Sequence, residues 1–191
     1  MFDVALIGVG RVGFTAVKLL TGEMGYSVLA VDCVDKSNVL KGFSSVEFKK
    51  ACNPLEALET IDRLKPSIVA ASLPSRIAEG YIREFLTHGY NVVDVSFIDF
   101  NPYKYSDLCR EKHVAYVVDA GFAPGFSNLI VGWFQNRFGK LDRVAIYVGG
   151  NPVDPKPPLY YEITWSAEDL IEEYTRPARI VKDCRIVEVD P

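Results

Sequence analysis

The fold is decided by residues 4–13, which read Val-Ala-Leu-Ile-Gly-Val-Gly-Arg-Val-Gly. The apolar run at residues 4–7 predicts a strand buried on both faces, because a run without alternation suits a central parallel strand. In the GxGxxG turn that follows, the first glycine permits a tight turn, the second lets the backbone approach a diphosphate, and the third lets helix and strand pack closely. The pattern therefore predicts a dinucleotide-binding turn made by Gly8, Gly10, Arg11, Val12 and Gly13.

An acidic residue at the end of the second predicted strand supports this interpretation. Residues 26–31 are predicted as that strand, and Asp32 follows 19 positions after Gly13, close to the spacing of about 20 typical of the acid that binds a ribose hydroxyl. A carboxylate there favours NAD, since it would repel the 2′-phosphate of NADP. Arg11 and Lys36 keep NADP open as an alternative, and Asp32 could instead be a plain turn or cap residue.

The chain continues with strands alternating with helices as far as residue 120. Further strands are predicted at residues 46–48, 67–72, 91–96 and 114–118. The helices between them are predicted at 54–64, where Asn53 is the N-cap, at 76–88, where Ser75 is the N-cap, and at 103–112. The second of these helices is predicted to bury Ala78, Tyr81, Ile82, Phe85 and Leu86. Six strands in this order predict an α/β fold, a Rossmann doubly wound parallel sheet that forms a domain at residues 1–120. Ser72, Leu73 and Pro74 end the fourth strand and are predicted to line the nicotinamide-side ribose. An ordinary strand-to-helix turn is the alternative for these three.

After residue 120 the pattern changes, and residues 121–191 are predicted as the start of an α+β substrate domain. A helix is predicted at 127–138 with Leu129, Ile130, Trp133 and Phe134 facing inward. Strands are predicted at 143–148, 160–165, 178–182 and 185–189, and Ser166 is predicted to cap a short helix. Because the last residues follow a strand with a bare edge, we expect a longer natural protein and a homodimer.

Composition narrows the classes of partner. The net charge of −4 without a basic cluster argues against nucleic acid. Neither a signal peptide nor an apolar run of membrane-spanning length is present in the sequence, so we expect no membrane partner. The four cysteines, Cys33, Cys52, Cys109 and Cys184, form no CxxC pair. We therefore expect no metal site and no disulfide, but reduced thiols in a cytoplasmic protein.

Two later segments resemble a known family. Residues 119–128 read Asp-Ala-Gly-Phe-Ala-Pro-Gly-Phe-Ser-Asn, and residues 165–181 read Trp-Ser-Ala-Glu-Asp-Leu-Ile-Glu-Glu-Tyr-Thr-Arg-Pro-Ala-Arg-Ile-Val. Both resemble the saccharopine dehydrogenase-like family and are most similar to its lysine 6-dehydrogenase branch. The resemblance implies an NAD(P)-linked oxidation of a small amino-acid substrate at a carbon bearing nitrogen, for lysine the ε-carbon. Saccharopine reductases carry Asp where this chain has Ala123, which favours a smaller amine.

The implied chemistry needs a base, because hydride leaves readily only from a carbon whose nitrogen is unprotonated. Asp94 and Asp119, at the ends of the fifth and sixth strands, are the candidate catalytic residues. Arg176 or Arg179 could bind a substrate carboxylate, and Tyr160, Tyr161 and Trp165 could wall the pocket. Each has an ordinary alternative in a turn cap, a surface ion pair or core packing.

A function without catalysis is a second interpretation of the sequence. The glycine motif and Asp32 are similar to those of the nucleotide-sensing domains that regulate potassium transport, which bind without chemistry. Those domains end after six strands, so residues 121–181 favour an enzyme.

Overall fold

Six parallel strands form the central sheet of the protein. The computed structural model describes residues 2–149, 151–158, 160–163 and 166–190. The strands are β1 Val4–Ile7, β2 Val28–Asp32, β3 Val46–Lys50, β4 Ile68–Ala71, β5 Val92–Asp94 and β6 Tyr116–Val117, in the order β3-β2-β1-β4-β5-β6. Every neighbouring pair is parallel. The predicted doubly wound α/β fold is thus confirmed, with strand bounds that differ from the predicted ones by up to two residues at either end.

Helices connect the strands and cover both faces of this sheet. They are α1 Arg11–Gly22, α2 Ser37–Leu40, α3 Pro54–Leu64, α4 Ser75–Thr87, a 3-10 turn Pro102–Tyr105 and α5 Ser106–Lys112. Two buried apolar clusters pack on the two faces of the sheet. Successive residues of β1 contribute to different clusters: Ala5 and Ile7 belong to the first and Leu6 to the second. Side chains of α3 and α4 pack into the first cluster, and side chains of α1 and α2 pack into the second. β1 is therefore buried from end to end, as its unbroken apolar sequence predicts.

The helix ends show which local signals the chain uses. Asn53 caps α3, its side-chain oxygen accepting from the Glu56 N–H at 3.0 Å, and Pro54 takes the first helical position. The apolar face predicted for α4 is buried, including Phe85 at 0% exposure. Ser75, however, is the first residue of α4 and Pro74 occupies the cap position, so the expectation that Ser75 caps this helix is wrong.

After the sheet come α6 Phe126–Phe138, α7 Ala167–Thr175, β7 Ala178–Lys182 and β8 Arg185–Val189. The chain divides into two compact units, residues 1–148 and 149–191; the domain boundary at residue 120 stays a prediction. Ser166 caps α7 through the Asp169 N–H, as expected. β7 and β8 form the predicted antiparallel hairpin, in which Asp183 and Cys184 both have positive φ, 51° and 59°.

Three expectations are wrong. The α6 residues predicted to face inward are exposed, with Leu129 at 74% and Trp133 at 57%. The strand predicted at 143–148 does not form, and of the strand predicted at 160–165 the described residues 160–163 form none, while 164 and 165 lie outside the described residues. A strand requires a hydrogen-bonded neighbour, and none lies beside these segments in the described part of the chain. Cys33 and Cys52 form a disulfide, whereas Cys109 and Cys184 are free.

No helix of the described residues combines the length and apolarity needed to cross a membrane. Within the same residues, no group of three or more His, Cys, Asp and Glu side chains could hold a metal ion.

Candidate functional site

The glycine turn after β1 is built so that two glycines allow close packing and one leaves space. Gly8 has φ +92°, and a Cβ placed on it would lie 2.2 Å from the Ser72 carbonyl oxygen. A Cβ on Gly13 would lie 2.0 Å from the Gly8 carbonyl oxygen. At Gly10 a Cβ would have no heavy atom within 4 Å. Gly8 and Gly13 are therefore required by the fold, whereas the bare backbone at Gly10 keeps room for a group from outside the chain.

Helix α1 presents its amino terminus at this turn. Its N-cap is Gly10, no side chain caps the helix, and its first turn contains no acidic residue. Arg11 and Val12 are exposed in this turn. The positive end of a 12-residue helix thus meets the space beside Gly10, and such an end favours an anion such as a diphosphate.

Asp32 is anchored to the glycine turn by a direct hydrogen bond. Its Oδ2 accepts from the Val9 N–H at 2.7 Å, and its Oδ1 accepts from the Val34 N–H at 2.8 Å. Each carboxylate oxygen has two lone pairs, so one remains on each for a hydroxyl donor. The side chain is half-buried. Sugar hydroxyls placed beside the turn would therefore meet a fixed, charged acceptor.

The ends of β1, β4 and β5 form a continuous edge next to the turn. The Ser72 N–H donates to the Ile7 carbonyl at 2.8 Å, and the Leu73 N–H donates to the Ser96 hydroxyl at 3.4 Å. Ser72, Leu73 and Pro74 are half-buried. The Ser72 Oγ lies 3.6 Å from the Cβ position of Gly13. The structure thus places Ser72–Pro74 beside the glycine turn. This position is compatible with the prediction that they line the nicotinamide-side ribose.

Asp94, one of the two candidate bases, is 0% exposed. Its Oδ1 accepts from the Ser96 N–H at 2.9 Å and its Oδ2 from the Tyr116 hydroxyl at 3.1 Å. Burial raises the pKa of the Asp94 carboxyl; the hydrogen bonds from Ser96 and Tyr116 oppose this rise, and the charge of Asp119 adds to it. Asp94 therefore holds the ends of β5 and β6 in place.

Asp119, the other candidate base, is half-buried in a tight loop after β6. Its φ is +51°, and its carbonyl oxygen lies 2.2 Å from the Cβ position of Gly125, so this loop has no room for a side chain at residue 125. Because Asp119 raises the pKa of Asp94, the two carboxylates interact. Their catalytic roles remain predictions.

The predicted substrate-binding residues lie in the second unit. Tyr160 and Tyr161 are 59% and 38% exposed. Tyr161 lines an open depression of about 470 Å³ together with Pro152, Val153, Asp154, Lys156 and Glu162. The Arg176 guanidinium lies 3.8 Å from the Glu172 carboxylate, one helical turn earlier. Arg179 is exposed on β7, and Trp165 lies outside the described residues. Their roles also stay predictions.

Three groups at the site were not foreseen from the sequence. The Val9 N–H binds Asp32, the Ser96 hydroxyl accepts from Leu73, and Tyr116 binds Asp94. Only the Asp94-Val95-Ser96 segment carried a local signal, because an acid two residues before a serine commonly accepts its backbone N–H. Each of the three pairs above joins residues that are 22 or 23 positions apart along the chain.

The chemistry of these groups fits a dinucleotide. An open glycine, an uncapped helix amino terminus and an anchored carboxylate provide, in order, space for a diphosphate, a positive dipole and a sugar acceptor. Gly8, Gly10, Arg11, Val12, Gly13, Asp32 and Ser72 would hold it.

Comparison with known proteins gives one domain match and a set of similar solved structures. The family model of the saccharopine dehydrogenase C-terminal domain matches residues 121–191. The apo histidine-tagged saccharopine dehydrogenase (L-Glu forming) from Saccharomyces cerevisiae is similar in structure, with a TM-score of 0.68 and 16% identity over 100% of this chain. The chain spans 44% of the length of that enzyme. At this identity the likeness shows the fold.

Other solved structures overlap less. A putative oxidoreductase from Pseudomonas putida KT2440 gives a TM-score of 0.43 at 18% identity, over 60% of this chain and 39% of its own. An imine reductase variant from Myxococcus stipitatus in complex with NAD+ gives 0.39 at 16%, over 61% and 39%. The domain match is limited to residues 121–191, whereas the fold shared with the yeast enzyme extends over the whole chain.

Proposed function

We propose that this chain supplies the dinucleotide site of an NAD(P)-dependent oxidoreductase that acts on a carbon–nitrogen bond of an amino acid. NAD is the proposed cofactor, and oxidative deamination of lysine at its ε-carbon is the proposed reaction. The observation that carries the proposal is the Asp32 carboxylate, held 2.7 Å from the Val9 N–H of the glycine turn. A negative charge at that place binds ribose hydroxyls and repels a 2′-phosphate.

Each part of the site has a defined task in this proposal. The backbone at Gly10 and the start of α1 bind the diphosphate, Asp32 accepts hydrogen bonds from the adenosine ribose, and Ser72–Pro74 border the nicotinamide end. The chemistry that bound NAD supplies is acceptance of a hydride from the substrate carbon. The chain's own side chains must then take up the ammonium proton and orient the amine.

The proton acceptor that we assign is Asp119. Its side chain is half-buried, whereas the side chain of Asp94 is fully buried. A base must come within hydrogen-bond reach of the proton that it removes, and Asp119 meets this condition better. Asp94 acts as a positioning residue for the loop after β5. Arg176 and the aromatic residues Tyr160, Tyr161 and Trp165 are the proposed substrate contacts.

Two other functions remain as alternatives. Action on saccharopine is disfavoured by Ala123, which replaces the acid of saccharopine reductases. Nucleotide sensing without chemistry would need only the site at the glycine turn; residues 121–191, with their match to a dehydrogenase domain, favour the enzyme. A cytoplasmic homodimer is the proposed state of the protein.

The cofactor assignment is tested with Asp32→Asn. Calorimetric titration with NAD and NADP should show NAD affinity reduced about ten- to a hundredfold, because hydrogen bonds to a charged group contribute about 1.5–3 kcal/mol. NADP affinity should fall less, since the repulsion is also removed. Asp35→Asn is the matched control, because Asp35 is an exposed acid of the same charge whose carboxylate accepts from the Ser37 N–H. If the ratio of NAD affinity to NADP affinity is unchanged in the Asp32 variant, Asp32 does not contact the ribose.

The reaction is tested by following NADH absorbance with lysine, saccharopine and a panel of amino acids. Turnover with lysine is expected to exceed that with the others. Binding of NAD without turnover of any amine in the complete protein would favour the sensing function.

A further inference from the structure

A disulfide joins the ends of two neighbouring strands at the candidate nucleotide site. Cys33 directly follows Asp32, the last residue of β2, and Cys52 lies between β3 and α3. Because β2 and β3 are parallel neighbours, both cysteines lie at the carboxyl edge of the sheet, where ligands of open α/β sheets bind. The bond therefore crosses the part of the edge that carries Asp32.

The residues on both sides of the bond contact Asp32 or its loop. The Ala51 N–H, one residue before Cys52, donates to the Asp32 carbonyl at 3.1 Å. The Val34 N–H, one residue after Cys33, donates to the Asp32 carboxylate at 2.8 Å. The Cys52 N–H is held by the Glu56 carboxylate at 2.7 Å. Asp32 thus sits within one hydrogen-bonded unit that the disulfide closes.

Both cysteines are exposed, so external thiols can reach the bond. A thiolate of a dithiol reductant attacks one sulfur to give a mixed disulfide, and its second thiol then displaces the protein thiol. The two cysteines together gain two electrons and two protons, and the reductant leaves as its own disulfide. Two thiol sulfurs settle at a non-bonded separation of about 3.5–4 Å, well beyond a covalent S–S distance. Reduction therefore removes the covalent link between the Cys33 and Cys52 segments, whose Cα atoms lie 4.3 Å apart while bonded.

We propose that Cys33 and Cys52 form a thiol–disulfide control of the nucleotide site, in which the disulfide state binds the adenosine half of the dinucleotide more tightly than the dithiol state. The reason is pre-organisation: a carboxylate that is already fixed loses less freedom when a ribose binds. The inference rests on the proposed function, because it concerns the same Asp32 site.

The test compares NAD binding by the 191-residue chain in its two redox states. Calorimetry with NAD is done on air-oxidised protein, on protein reduced with dithiothreitol, and on protein re-oxidised after removal of the reductant. We expect reduction to weaken NAD binding about three- to tenfold, and re-oxidation to restore it. Alkylation and mass spectrometry should count two free thiols before reduction and four after it.

Two double variants locate the effect. Cys33→Ser with Cys52→Ser should bind NAD weakly under both conditions, whereas Cys109→Ser with Cys184→Ser should respond to reduction as the unaltered chain does. The cycle of reduction and re-oxidation needs no variant, so it decides the matter even where a double variant folds poorly.

Equal NAD affinity in the two states, with the thiol count changed from two to four, would overturn this inference and leave the proposed function standing. A thiol count of four under oxidising conditions would overturn it as well. Folded protein that binds NAD in neither state would reject the proposed function, and this inference with it.

Discussion

The sheet region and the segment after residue 120 use their apolar residues in opposite ways. The large fully buried side chains, such as Phe85, Leu29 and Ile61, all belong to strands or helices of the sheet region. In α6, Leu129, Trp133 and Phe138 are more than half exposed. Parallel strands joined by helical crossovers cover both of their faces with their own connections. Helix α6 has no such partner among the described residues, and a cluster of exposed apolar side chains marks a surface suited to contact.

The largest expected effect is on the free energy of unfolding, and it compares one phenylalanine of the sheet region with one of α6. Phe85→Ala should reduce the free energy of unfolding by about 3–5 kcal/mol, because it opens a cavity in a closed core. Phe138→Ala, at a residue that is 63% exposed and stacks on Phe134 at 5.6 Å between ring centroids, should cost under about 0.5 kcal/mol. Urea unfolding of the 191-residue chain measures both. Equal losses would show that α6 is part of the folded core.

The glycine turn sharpens the comparison within the sheet region, because its glycines serve folding and binding separately. Gly8→Ala should destabilise the protein by about 3 kcal/mol, since it combines a positive φ with a contact at 2.2 Å to backbone. Gly10→Ala meets no protein atom and should unfold like the unaltered chain, yet lose NAD affinity at least about tenfold. Thermal unfolding and calorimetry separate the two results. Unchanged NAD affinity in the Gly10 variant would show that the diphosphate does not bind at this turn.

The buried carboxylate of Asp94 predicts a smaller effect with a pH dependence. Asp94→Ala should cost about 2 kcal/mol, because it leaves the Ser96 N–H and the Tyr116 hydroxyl without their acceptor. Asp94→Asn keeps an acceptor and should cost less.

The pH dependence follows from the raised pKa of the Asp94 carboxyl. A raised pKa means that the folded protein holds the proton more tightly than the unfolded chain does. This contribution is complete below the ordinary value of 3.8 and is lost as pH rises through the raised folded value. Asp94→Asn should flatten the stability profile over that range, measured by urea unfolding at a series of pH values. A profile with an unchanged slope would contradict the raised pKa.

The smallest effect concerns the hairpin of the second unit. Cys184 has φ +59° in the turn between β7 and β8, a conformation that glycine adopts without strain. Cys184→Gly should raise the stability of the hairpin by about 1 kcal/mol, measured by protection of the β7 and β8 amides from hydrogen exchange. Lys182→Gly, within β7, is the control and should lower this protection. A loss of protection in both variants would exclude strain at Cys184.

The parts of the fold predicted from the sequence are those that depend on neighbouring residues. The apolar run of β1, the Asn53 cap of α3 and the buried face of α4 were predicted because their causes lie within one turn or strand. The segment at 143–148 alternates like a strand, yet forms none, because alternation describes one side of a pairing and no partner strand lies beside it among the described residues. The prediction that one face of α6 is buried was wrong for a related reason. An amphipathic pattern predicts which face of a helix is apolar, but it does not predict which other element packs against that face.

The sequence by itself determined the strand order and the positions of Gly8, Gly10, Gly13 and Asp32, because spacing and handedness leave a βαβ unit few alternatives. Only the tertiary structure decided that Val9 binds Asp32, that Tyr116 binds Asp94 and that Cys33 meets Cys52. These partners are 19 to 23 positions apart along the chain. They meet because parallel strands in register carry distant residues to the same edge of the sheet, a relation of neighbouring strands that no local pattern contains.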